Sequence, residues 1–442
     1  MATPELSEHR ARRRHAATPD DQRSPFQRDR DRILYSTAFR RLDGVTQIVR
    51  AGEADVFHNR LTHTLKVAQV GRRLAELCIK RQPVAAVFHG LDVEVVEAAC
   101  LGHDLGHPPF GHVGETTLNS ILTEAEPALD LEGYEGNAQS FRIVTKLAVR
   151  HPQCDGLDLT RATLAALQKY PWARDVGDPN KTYKWGYFTS EVEDFEFCME
   201  GRQAESRSLE ADLMDWADDI AYSVHDLEDF HRCNFIPWPR IIGEDSPDLE
   251  RVIDNAVAKW HSPPSGAKGR LRDAHRRLSR IFDGFKSSIL SGPYEGSRDQ
   301  RLAIRSLTSL LIGRYVMETR LVEPDNYDGG IRLILDDYHQ DEVRLLKQFA
   351  RDYIISSPSL AAQQHGQALI LRSLFQDFYE EAKSRKPKIL PRRFHHLVKE
   401  DSLSPARITA DCVASLTEGE AIALHQRLRG IVSGSVLDPI VR

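Results

Sequence analysis

The sequence predicts an all-α protein, and three observations carry that prediction. Apolar residues recur at steps of three and four over long segments, most clearly at Leu209, Leu213, Trp216, Ile220, Val224 and Leu227, which is the spacing of one helix face. No stretch alternates apolar and polar residues for long enough to make a substantial sheet, so at most a minor hairpin is expected near residues 45–57. Breaks such as Ser262-Pro263-Pro264-Ser265-Gly266 and Ser357-Pro358 separate the periodic segments.

Composition narrows the class. With 442 residues the chain is long enough for one large or two ordinary domains. Charged residues make up 28% and the net charge is −6, so no bulk positive charge advertises nucleic-acid binding. No apolar run is long enough to span a bilayer, and the N-terminus lacks the apolar stretch of a secretory signal, so a cytoplasmic protein with no membrane partner is expected. Six scattered cysteines read as free thiols of the core rather than disulfides or a zinc ribbon.

Residues 1 to about 24 are polar, with Arg10, Arg12, Arg13 and Arg14 clustered, and read as a loosely ordered arm. From Asp29, the residues Ile33, Leu34, Ala38, Phe39 and Leu42 share one helical face in a stretch rich in arginine: Arg28, Arg30, Arg32, Arg40 and Arg41. Gln47 follows the break at Gly44. A helix is expected from about Leu61 to Lys80, with Arg60 just before it and His63 in its first turn. Asp92 reads as the cap of the next helix, which leads through Cys100 to His103 and Asp104. Gly106 to Gly111 contains two prolines and should be a turn, with regular structure resuming near Val113.

Further helices are expected over Asn137–Arg150 and from Thr160 to Lys169-Tyr170-Pro171, followed by a long loop over residues 171–190. Ser208–Phe230 is the longest clear helix. It carries Asp218, Tyr222 and Asp226 at steps of four, which taken alone is a solvated face. Near the C-terminus, Lys383–Lys399 gathers Arg385, Lys386, Lys388, Arg392, Arg393, His395 and His396 around two prolines.

The densest chemistry lies between Cys100 and Glu115, with three histidines and two carboxylates in sixteen residues. His103 and Asp104 make half of a metal site, which His63 and one aspartate of the Asp218 helix would complete. Imidazole with carboxylate suits Mn, Fe, Co or Ni, and Mg less readily, and no cysteine partner suggests structural zinc. An ion so held could polarise a phosphoryl oxygen and activate a water. His107 and His112 follow across the turn as possible proton donors or phosphate contacts. Glu115, three residues after His112, is placed to orient its imidazole, although a plain surface pair has the same spacing. Arg60, Lys169 and Tyr170 offer cations and a hydroxyl to a polyanion. Neither a Walker-type phosphate loop nor a Gly-x-Ser-x-Gly elbow is present.

These residues resemble a known family. Arg60-Leu-Thr-His63, His103-Asp104-Leu-Gly-His-Pro-Pro-Phe-Gly-His112-Val-Gly-Glu115 and Asp218-Asp-Ile-Ala-Tyr222-Ser-Val-His-Asp226 are similar to the HD-domain deoxynucleoside triphosphate triphosphohydrolases, the bacterial dGTPase family. So are Ser24-Pro-Phe-Gln-Arg-Asp-Arg-Asp-Arg-Ile33, Phe39-Arg-Arg-Leu42, Glu135-Gly-Asn-Ala-Gln139 and Lys169-Tyr-Pro171, all in the family's order between residues 24 and 230. Arg407 to Glu418 looks like the family's closing stretch, with Cys412 where Tyr is usual and Ser415 where Gly is usual.

The resemblance implies an HD-domain helical fold with additional C-terminal helices; with the residue reading, the expected division is a flexible basic arm over 1–24, a catalytic core over 25–240 and a packed helical region over 241–442. It implies hydrolysis of a dNTP to deoxynucleoside and tripolyphosphate, with Mn or Mg as the first candidates and Fe, Co or Ni as further ones. Carried over by position, His63, His103, Asp104 and Asp218 would hold the metal. Tyr222, Asp226 and Gln47 would meet the sugar or base; Arg60, Lys169 and Tyr170 the phosphates; and His112 and Glu115, with His107 nearby, would serve the α-phosphate step. A homo-oligomer is implied; an effector dNTP stays open, and single-stranded DNA is a partner the 383–399 patch could offer. The competing expectations are an HD phosphohydrolase acting on other nucleotides and a nucleotide- or nucleic-acid-binding regulator that uses the 383–399 patch.

Overall fold

The periodic segments fold as helices, among them Arg60–Arg81, Val93–Gly102, Gly111–Glu124, Leu209–Arg232, Arg298–Met317 and Pro358–Ala382. The computed structural model describes residues 4–15, 21–47, 58–124, 132–242, 246, 248–289, 292–355, 358–384, 386–399 and 403–435. Among them the only strands are Arg320–Leu321 and Leu333–Ile334, which pair antiparallel with Arg320 opposite Ile334. The hairpin expected near 45–57 falls mainly outside the described residues. At its margin Thr46 and Asn59 form an isolated antiparallel bridge. No helix of the described residues is long and apolar enough to cross a membrane. All six cysteines are free, and Cys78, Cys100, Cys198 and Cys412 are buried.

Several boundaries differ from expectation for local reasons. The helical face from Asp29 to Leu42 is two helices, Pro25–Leu34 and Thr37–Arg41, because the Ser36 side chain accepts from Phe39 N and starts a new helix. Ser24 and Gln27 form a reciprocal capping box at the first of these. The run expected to Arg150 stops as a regular helix at Arg142, and Ile143–Leu147 forms a wider turn whose Val144 carbonyl accepts from Leu157 N. Pro358–Ala382, at 25 residues, exceeds Leu209–Arg232 at 24.

The basic N-terminus is also not a loose arm over its described part. Pro4–Ala11 is a helix, and three arginines meet distant carboxylates: Arg10–Glu210 at 2.5 Å, Arg13–Asp29 at 2.7 Å and Arg14–Asp194 at 2.7 Å. Sequence reading sees the positive charges but not the acids that neutralise them.

The chain divides into two compact units that interleave in sequence. The larger takes the described residues of 3–65, 94–211 and 362–442; the smaller takes those of 66–93 and 212–361. In the larger unit, Phe110, Leu118 and Leu122 are buried with Leu371, Leu374, Phe375 and Phe378, with Ile408 and Val413 of the helix Pro405–Ala414, and with Leu416 just after it. That apolar burial anchors the helix Gly111–Glu124, which carries His112. In the smaller unit, Leu271, Leu278 and Phe282 of Ala267–Asp283 are buried, as are Val343, Leu346 and Phe349 of Asp337–Ala350. The buried Glu342 takes Arg277 at 2.7 Å and Arg314 at 2.9 Å.

Candidate active site

The turn between His103 and Gly111 is built by close backbone packing. At Gly106 a Cβ would lie 2.2 Å from the Gly136 carbonyl oxygen and 2.3 Å from Ser140 N, so only glycine lets the turn seat on the helix Gly136–Arg142. Phe110 takes a left-handed conformation (φ 66°), and its N–H donates to Glu418 Oε1 at 3.1 Å. Half-buried Arg41 donates to the Leu105 and His107 carbonyls at 2.8 and 2.7 Å, and desolvation pushes its pKa down to about 10.

His63, His103 and Asp104 are all buried here, with the two imidazole rings 5.9 Å apart. His103 Nδ1 faces the Cys100 carbonyl at 2.6 Å, so Nδ1 carries the hydrogen and Nε2 keeps its lone pair. Asp104 Oδ2 lies 2.6 Å from Arg60, and Oδ1 lies 3.1 Å from His107 Nδ1. Burial alone would raise the Asp104 pKa, but the Arg60 charge and the hydrogen bond from His107 hold the carboxyl well below the usual range. His63 and His103 offer ring nitrogens in a group able to hold a divalent ion, whereas the two Asp104 oxygens are engaged by Arg60 and His107.

His107 is pushed down to about 4 by burial and by Arg60, so it is neutral at neutral pH; Gly136 lies against its ring. On the following helix His112 Nδ1 meets Glu115 Oε2 at 3.0 Å. The His112 side chain is 75% exposed while Glu115 is buried, so Nε2 is left facing outward with its ring tethered. Glu115 Oε1 accepts from Gly136 N at 3.1 Å and from Lys184 Nζ at 3.0 Å. Burial would raise the Glu115 pKa, but the His112 hydrogen bond and the Lys184 charge hold it well below the ordinary value. Lys184 escaped the sequence reading. The single hint was its place in the loop over 171–190, far in sequence from Glu115.

Other expected site residues are placed as follows. Gln47 is half-buried, and its Oε1 has no hydrogen-bond partner among the described residues. Lys169 and Tyr170 follow the helix Arg161–Ala166, with the Tyr170 ring 5.7 Å from Trp172 and 5.9 Å from the Arg207 guanidinium. Asp218 and Tyr222 belong to the smaller unit, on Leu209–Arg232. There Asp215, Asp218 and Asp219 present carboxylate oxygens within 4.8 Å, and Lys347 binds Asp219 at 2.5 Å while lying 5.6 Å from the Tyr222 ring. Asp226 is on the same helix, but its side chain is outside the described set. In the C-terminal basic patch, Lys386, Lys388, Arg392 and Lys399 are exposed, and Arg393 donates to Ser415 Oγ at 2.9 Å.

Comparison with known proteins gives the class first. The HD domain matches residues 60–223, and the phosphohydrolase-associated domain matches residues 333–427; this is a helical HD phosphohydrolase. HD domains bind divalent metals, and this one has histidine and aspartate groups able to hold such an ion. Similar proteins include the deoxyguanosinetriphosphate triphosphohydrolase-like protein of Streptomyces coelicolor, 36% identical over 94% of this chain and 96% of its own length. Those of Bifidobacterium longum and Corynebacterium efficiens are 34% and 33% identical, over 92% and 96% of this chain and 83% and 98% of their own lengths. The chain belongs to the deoxyguanosinetriphosphate triphosphohydrolase-like family of hydrolases.

Proposed function

We propose that this chain hydrolyses a deoxynucleoside triphosphate at the α-phosphorus, releasing deoxynucleoside and tripolyphosphate. The observation that carries this reading is the tethered His112. Its Nδ1 is bonded to the ionised Glu115, and its ring stands 5.9 Å from His107, which in turn contacts Asp104. The names of the similar Streptomyces coelicolor and Bifidobacterium longum proteins support the substrate class.

In this reading His63, His103 and Asp104, with Asp218 as a further carboxylate, hold a divalent ion, Mn or Mg first. When bound, that ion supplies Lewis acidity to a phosphoryl oxygen and lowers the pKa of a water. His112 Nε2 then carries a proton to the departing 5′-oxygen as the bond from that oxygen to the α-phosphorus breaks, and Glu115 steadies the imidazolium through Nδ1. His107, neutral and packed on Gly136, keeps Asp104 turned and walls the site. Arg60 neutralises Asp104 and offers its guanidinium to a phosphate, with Lys169 and Tyr170 as further phosphate contacts. Gln47, Tyr222 and Asp226 meet the sugar or base, the unpartnered Gln47 oxygen being suited to a ligand donor.

The test is product analysis with each of the four dNTPs under Mn and under Mg. Deoxynucleoside plus tripolyphosphate is expected, and His63→Ala should lose both metal binding and turnover. Release of monophosphate with pyrophosphate, or of orthophosphate alone, would contradict the reading.

A further inference from the structure

Lys184 and Glu135 have no part in the reaction as described, yet they lie directly behind His112 and Glu115. The loop that brings Lys184 is fixed on both sides: Trp172 Nε1 donates to the Lys184 carbonyl at 2.8 Å, and Trp185 is buried beside Ala138 and Phe188. Lys184 Nζ lies 2.8 Å from Glu135 Oε1 and 3.0 Å from Glu115 Oε1. Glu135 is itself immobilised. Its Oε2 caps the helix Gly136–Arg142, accepting from Asn137 N at 2.5 Å and Ala138 N at 3.0 Å, and its Oε1 also accepts from Asn137 Nδ2 at 2.8 Å. Two buried carboxylates therefore share one ammonium.

The groups facing Glu115 are His112 from its own helix, His107 from the turn, Tyr134 and Glu135 from the segment before Gly136–Arg142, and Lys184 from the loop. Burial holds Tyr134 neutral and His107 neutral at neutral pH. Among these, Lys184 alone is a fixed positive charge. Burial raises Glu135, with the Glu115 charge adding to it and Lys184 opposing.

We propose that Lys184 and Glu135 are positioning residues for the acid pair: Lys184 supplies the charge that keeps Glu115 ionised and turned towards His112, and Glu135 holds the flexible lysine in place. This rests on the reading of His112 and Glu115 as the pair that serves the α-phosphate step. Without the ammonium, two neighbouring buried carboxylates resist ionising together, and one must bind a proton.

The test is a cycle of Lys184→Met, Glu135→Gln and the double variant, each read by Tm from pH 5 to 8 and by the pH profile of kcat/KM. Glu115 has a depressed folded pKa, so in the parent its contribution is present above the unfolded value and is lost as pH falls. In Lys184→Met the shared proton gives a raised folded pKa, so stability should instead be lost as pH rises across that range. The double variant, with no second carboxylate, should recover Tm at pH 8. Lys184→Met should also move the acidic limb of kcat/KM up by about one pH unit, while Glu135→Gln lowers kcat without raising that limb. Equal Tm losses in Lys184→Met and the double variant at every pH, or an unmoved acidic limb, would overturn the proposal. The Tm readout needs no turnover, so a parent that hydrolyses no dNTP would sink the proposed reaction while the cycle still decides the charge cluster.

Discussion

One helix of the larger unit, Gly136–Arg142, has a cation between two buried carboxylates at each end, and the two clusters differ in kind. At its C-terminal end Arg142 grips Asp411 through two nitrogens (3.0 and 2.7 Å) and Glu191 through a third at 2.6 Å. Gln139 adds a bond to Asp411 at 2.9 Å. Burial opposes the Arg142 charge, but Asp411 and Glu191 hold its pKa up. At the N-terminal end Lys184 serves Glu135 and Glu115, and its side chain is 37% exposed where that of Arg142 is 2% exposed. A planar guanidinium with its donors committed makes a brace; an ammonium on a flexible stem, reachable by solvent, makes a tunable contact. The difference separates scaffold from site on a single short helix.

Breaking each cluster should fail in its own way. The largest effect expected is on turnover: His112→Ala should lower kcat by about 10²–10⁴-fold while leaving Tm and metal binding unchanged, because the removed ring is mostly exposed. Parent-like turnover would remove His112 from the mechanism. Next, Arg142→Met leaves Asp411 and Glu191 buried without their cation and should cost about 3–5 kcal/mol of stability, seen as a lower denaturation midpoint. The protein that remains folded should keep the parent's pH profile, since no described contact joins Arg142 to Glu115. A pH profile displaced like that of Lys184→Met would mean that the two clusters act alike. Lys184→Met should cost less stability than Arg142→Met, since water reaches the lysine.

How far the sequence reached follows the same line. Periodicity located Arg60–Arg81 and Leu209–Arg232 to within a few residues, because their apolar stripes are long. The contact of His112 with Glu115 was legible because a helix brings positions three apart together. Lys184 was not legible: it lies in an irregular loop, and nothing local ties it to Glu115. The brace of Arg142 on Asp411 joins residues separated by 269 positions, which no periodicity encodes. The same blindness made the N-terminal arginines look like a loose arm, when Arg10, Arg13 and Arg14 are spent on internal acids. Even Ser36, a single capping side chain, sufficed to split an apparently continuous helical face.

In the proposed reaction water attacks the α-phosphorus and the nucleoside leaves through its 5′-oxygen with a proton from His112. Hydrolysis of a dNTP in ¹⁸O-labelled water, with mass analysis of both products, tests it most directly. Label is expected in the tripolyphosphate and none in the deoxynucleoside. Label in the 5′-hydroxyl, or in released orthophosphate, would contradict it.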